Sequence, residues 1–169
     1  MIMTPSIRKI AFTSHVIFSI GWVGAVIAYL SLVIALLTGD DPQTSRAAWT
    51  SMELIGWFAI IPLAVGALSS GLVISLGTPW GLFRHYWVVA KLVLTAFATV
   101  VLIVHMPTVS LQADGMAEMG RSHIGGPRGE LIHAGGGLLV LLAATILAVY
   151  KPKGLTWYGR RKRLGHDDI

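Results

Sequence analysis

Four of the six histidines in this chain stand inside or at the edge of long apolar runs. His15 lies in the first run, His85 opens the third, His105 closes it, and His133 lies near the start of the fourth. Hydrocarbon offers an imidazole no partner. Each ring must therefore meet a backbone group, another side chain, a metal or a haem iron. Depth sorts the four into two pairs: His15 with His85 at one end, His105 with His133 at the other. Between His85 and His105 the chain advances twenty residues, about 30 Å along a helix, so the two pairs cannot share one metal.

The first pair suits a b-type haem held between diagonal helices, with Arg8, Lys9 and Arg84 at the same level to pair with its propionates. The plainer alternative is that His85 belongs to a basic interfacial edge with Arg84, while His15 bonds a carbonyl or hydroxyl. The second pair suits a smaller metal or a second haem. Glu53 and Met52 stand at that level, Met106 follows His105, and the loop beyond adds Asp114, Met116, Glu118, Met119 and His123. Two imidazoles and a carboxylate match zinc or non-haem iron, and His with Met would suit copper. Glu53 could instead flank its helix start, where negative charge is favoured. On a straight helix His85 and His105 point about 160° apart, so both can face the bundle axis only if the helix is irregular or His85 precedes its regular part. Lys91 shares the face of His105 and is expected to snorkel toward the nearer surface. His166 lies in a charged tail and carries no expectation. Thr95 and Thr99 are expected to bond their own helix.

The elements that must position these groups are apolar and long. The chain has 169 residues, 54% hydrophobic and 12% charged, about half the charged share of an ordinary soluble domain. Ile10–Leu37, Leu54–Leu76 and Leu131–Tyr150 carry no charge, and Tyr86–Met106 carries only Lys91. Each can cross a hydrocarbon layer of about 30 Å. The expected fold is all-α: one transmembrane up-down four-helix bundle with spans near 10–37, 54–76, 86–106 and 131–150, and a basic tail over 151–169. Thr38–Glu53, Gly77–His85 and Pro107–Glu130 are read as connections, the last ending in a Gly-rich loop. Pro62 should kink the second span unless a neighbour accommodates it. Trp57, Trp80, Trp87, Trp157 and Tyr158 sit where aromatic rings anchor spans. The run Gly135-Gly136-Gly137 weakens a helix; it serves close packing or leaves room for a flat ligand.

Basic residues set the orientation. Six of the thirteen fall in the last nineteen positions, and Arg8, Lys9, Arg84 and Lys91 flank the same side. Both termini are therefore expected in the cytoplasm, in a multi-pass protein of the bacterial inner membrane. The net charge of +5 is a topology signal; nucleic acid is not an expected partner, and the lipid bilayer is. With no cysteine, disulfides, thiolate ligation, iron–sulfur clusters and covalent haem attachment are excluded. No phosphate loop or Ser–His–Asp set supports an ATPase or hydrolase.

The stretches Ser14-His15-Val-Ile-Phe-Ser-Ile-Gly21-Trp22-Val-Gly24, Gly77-Thr-Pro-Trp-Gly-Leu-Phe-Arg84-His85 and His133-Ala-Gly-Gly-Gly through Tyr150-Lys-Pro-Lys-Gly resemble a family of small, uncharacterised bacterial four-span integral membrane proteins. The resemblance covers nearly the whole chain and implies four spans, with no activity to carry over. More loosely, the chain looks like the four-helix membrane b-type cytochromes, on architecture and histidine placement alone. The expected function is haem b binding, with copper as a candidate second metal, in electron transfer or membrane redox chemistry with a quinone or a redox partner, as a monomer or homo-oligomer. A metal or small-solute transporter and a structural or regulatory membrane subunit are the alternatives.

Overall fold

The computed structural model describes residues 3–78, 81–117, 126–152, 154, 156 and 157, the side chains of 116 and 117 excepted. Among these the chain is all-helical. The helices are α1 (Pro5–Thr38), α2 (Pro42–Ile55), a π-helical turn (Gly56–Ile60), α3 (Ile61–Gly77), α4 (Tyr86–Ala117) and α5 (Gly126–Tyr150). Since α2, the π turn and α3 run on as one rod, four units are long and apolar enough to cross a membrane.

Every unit overruns the charge-free stretch that announces it. Residues 42–53, expected as a connection, are helical because Asp41 caps them. Its carboxylate accepts from Gln43 N at 3.4 Å and Thr44 N at 2.9 Å, and Pro42 opens the helix where its missing N–H costs nothing. α2 then buries Ala48, Trp49 and Met52 and leaves its polar side out. Glu53 consequently lies near the end of α2, not at a helix start. α4 continues through Pro107 to Ala117. The segment Gly126-Pro-Arg-Gly-Glu130, expected as loop, is the opening turn of α5. Proline is tolerated in a first turn, so the glycines and Pro127 that suggested a loop do not prevent a helix. His85 precedes α4, which begins at Tyr86.

Pro62 is accommodated without a break. Ile61 N–H donates to the Gly56 carbonyl five residues back, the wide π register. A proline ring clashes with the carbonyl four residues earlier, and widening the preceding turn moves that carbonyl aside. Gly56 also lets α4 close in, since a Cβ there would stand 2.3 Å from Met106 Cε.

α1 packs on the α2–α3 rod along one side and on α5 along the other, and α4 does the same from across the assembly, so α1 lies diagonal to α4 and the rod to α5. Close approaches are made at glycines: a Cβ on Gly66 would lie 2.8 Å from the Phe18 ring, and one on Gly21 3.0 Å from Leu63. The core runs through Trp22, Val26, Val33, Trp49, Met52 and Val109. Large apolar side chains cover the outside, with Phe58 78%, Val104 72% and Ile132 73% exposed. Such a surface is compatible with contact to a lipid bilayer. At the basic end Met3 N–H donates to the Gly77 carbonyl at 3.1 Å, and Thr156 N–H to the Arg84 carbonyl at 3.1 Å. The segment after α5 thereby folds back onto the entrance of α4.

Candidate functional site

Glu130 is the most buried charged residue described, at 1% exposure, and three helices converge on it. From α1, the Tyr29 hydroxyl donates to Glu130 Oε2 at 2.7 Å. From α4, His105 Nε2 stands 2.9 Å from Oε1 and 3.1 Å from Oε2. A carboxylate only accepts, so His105 carries its proton on Nε2. On α5 itself, one turn beyond Glu130, His133 lays its ring over that of His105, with centroids 4.0 Å apart and planes 10° from parallel. His133 Nδ1 donates to the Gly129 carbonyl at 3.0 Å.

This cluster closes one end of a cavity of about 300 Å³. The walls are apolar: Trp22, Val26, Ile60, Phe97, Leu102 and Leu141, with Gly136 and Gly137 on the α5 side. Several lining residues, Phe97 at 61% and Ile132 at 73% exposure, belong to the outer apolar surface. The cavity thus borders the exposed apolar surface. Nothing lies within 4 Å of a Cβ built on Gly135, Gly136 or Gly137. Of the two explanations for that glycine run, close packing is not what these positions do within the chain.

Fourteen residues earlier on α4, about 21 Å away, lies a second polar group. His15 Nδ1 faces the Ala67 carbonyl at 3.1 Å and Ser70 Oγ at 3.0 Å, while Ser70 donates to the Gly66 carbonyl at 2.6 Å. Carbonyls only accept, so Nδ1 carries the proton and Nε2 presents a lone pair. Lys91 Nζ donates to that lone pair at 3.0 Å. Lys91 was expected to snorkel outward; it turns inward because His15 offers an acceptor at its own depth. Thr95 and Thr99 donate to the carbonyls of Lys91 and Thr95, one turn back on their own helix.

The fit of these residues to a haem or metal can be tested on that geometry. An imidazole ligates through an in-plane lone pair. The lone pair of His15 is taken by an ammonium group, and His85 lies outside the cavity beside His15, its ring 6.4 Å from that of Trp87. The pair does not fit a haem as arranged. His105 and His133 are brought together, yet stacked rings aim their nitrogens side by side and cannot grip one ion between them. Among the described residues no three His, Cys, Asp or Glu side chains converge as a metal-binding group. Glu53 does not line the cavity, and His123, Glu118 and Met119 lie outside the described residues. Arg8 and Lys9 line the basic-end cavity, which Arg84 does not.

Two members of the site, Tyr29 and Glu130, have no place in the sequence expectation. Glu130 stands immediately before a charge-free run and was read as part of a loop. A usable signal existed: Glu130 and His133 are three apart, a spacing that shares one helix face. Tyr29 has none beyond being the one tyrosine in its apolar run. Comparison with protein-family models, curated proteins and solved structures found no match.

Proposed function

We propose that this chain is a multi-pass protein of the bacterial cytoplasmic membrane, an up-down four-helix bundle with both termini inside, which binds a lipid-soluble, carbonyl-bearing carrier of the quinone class and exchanges a proton with it as a separate redox partner supplies or removes the carrier's electrons. The observation that carries the reading is Glu130, buried at the end of an apolar cavity and held by Tyr29 and His105. An ionisable group inside a membrane protein is expensive to bury and marks a functional site by default. A flat, apolar molecule suits the aromatic and aliphatic walls, and the lipid-facing side chains at the rim suit delivery from the bilayer. Its oxygen would meet the one polar corner, where Tyr29 and His105 are the donors and Glu130 is the group that takes up or gives back a proton. Placement of the basic residues supports the orientation.

The test is a titration of the full chain in lipid nanodiscs with a short-chain ubiquinone, read by quenching of tryptophan fluorescence, since Trp22 lines the cavity. Saturable binding is expected, weakened about tenfold or more by Glu130→Gln, as befits loss of a charge-assisted contact. Unchanged binding in that variant would defeat the assignment. The electron-transfer reading, through haem b or copper, is the competing proposal. It requires the histidines to leave the partners described above, and it predicts a Soret band in protein produced with haem supplied. A purely structural polar knot predicts that Glu130→Gln alters stability and nothing else.

A further inference from the structure

At the basic end a second cavity, of about 440 Å³, opens between α1, α3, α4 and the end of α5. Arg8, Lys9 and Lys151 stand at it on exposed positions and Lys91 is set deeper, while no described Asp or Glu lines it. The partner of the Lys91 ammonium is the neutral nitrogen of His15, which offers no counter-charge. Thr78 lines the same cavity, and its Oγ1 is buried with no hydrogen-bond partner among the described residues. Ser75 and Thr95 also line it, their hydroxyls bonded to their own helices, and the rest of the wall is mainly hydrocarbon and indole, from Phe12, Leu68, Trp87 and Leu92.

We propose that this cavity is a binding site for an anionic phospholipid, its phosphate among Arg8, Lys9, Lys91 and the Thr78 hydroxyl, with an acyl chain along Phe12, Leu68 and Leu92. The two halves of the lining argue together. A cation set in apolar surroundings needs an anion with it, and a phosphate group accepts from several donors at once. A small free anion would meet that need but leave the apolar wall uncovered. A zwitterionic lipid would cover the wall but bring its own cation against Lys91. Basic pockets between membrane helices are suited to anionic head groups for this reason.

The experiment uses the full chain, stripped of lipid in a neutral detergent, and offers it dioleoylphosphatidylglycerol, dioleoylphosphatidylcholine or inorganic phosphate. Retained lipid is counted by native mass measurement, and the thermal midpoint is followed. Phosphatidylglycerol alone should stay bound and raise the midpoint. Its apparent affinity should fall about tenfold or more in Lys91→Met and in the exposed double variant Arg8→Gln/Lys9→Gln, the scale of a lost charge-assisted contact. Thr78→Val should weaken it less. Should Lys91→Met fail to fold, the surface double variant and Thr78→Val carry the same test. An equal shift with phosphatidylcholine would overturn the proposal. So would an equal shift with inorganic phosphate, or wild-type retention of phosphatidylglycerol in the charge variants.

Discussion

A carboxylate that has left water must be repaid by donors, and Glu130 has two, one on the preceding helix and one on α1. Removing one donor leaves an under-satisfied charge. Tyr29→Phe should cost about 1.5–3 kcal/mol, the worth of a hydrogen bond to a charged group, measured as the loss of thermal or detergent-induced unfolding free energy. His105→Phe strips the other donor and should cost about as much, again about 1.5–3 kcal/mol. Asp41 behaves differently, being exposed. Hydrogen bonds from the Thr44 side chain, then from Thr44 and Gln43 N–H, hold its carboxyl below the usual carboxylate value. A pKa lowered in the folded state means the cap's contribution is present above the ordinary carboxylate value and is lost as pH falls through the lower, folded one. The protection factor of the Thr44 amide, its exchange rate corrected for the intrinsic pH dependence, should therefore fall on acidification in wild type. In Asp41→Asn, which still caps but does not titrate, it should not. What was legible at this scale was demand. An imidazole in an apolar run needs a partner, and His15, His105 and His133 each have one. The partner's identity was not legible, because Tyr29 and Glu130 are 101 positions apart and only the fold joins them.

At the scale of the helix, space around glycine separates two roles. Gly66 is where Phe18 sits, so Gly66→Ala should destabilise by about 1–3 kcal/mol through overpacking. Gly136 has open space, and Gly136→Ala should be neutral or stabilise by up to about 1 kcal/mol through helix propensity. If a flat carrier lies against that turn, the same substitution should weaken quinone binding while leaving the fold intact. Unfolding and binding measured on one preparation separate these effects. The four apolar runs were legible from charge alone. Their ends were not, because Asp41, Pro42 and Pro127 set helix starts by local capping and fixed backbone angles, which a hydropathy reading passes over. The cost of missing the start of α5 was Glu130 itself.

For the whole molecule, two polar clusters stand fourteen residues apart along α4, one around Glu130 and one around Lys91, with apolar packing between them. The sequence indicated two separate sites by the distance between His85 and His105; the structure sets His105 and His133 with Glu130 in one, and His15 with Lys91 in the other. Orientation can be tested cleanly because the chain contains no cysteine. A single cysteine at Ser45 should react with a membrane-impermeant maleimide in intact cells. One at Thr4 should react only after the membrane is opened, and the reverse pattern would invert the assigned topology. The role proposed for Glu130 is to hold and release a proton, and infrared difference spectroscopy reads that proton most directly. The spectrum of the nanodisc-embedded protein with quinol bound, minus that with quinone bound, should contain a protonated-carboxyl band that disappears in Glu130→Gln. A spectrum without a carboxyl band, or one with the same band in the variant, would contradict a proton-exchanging role for Glu130.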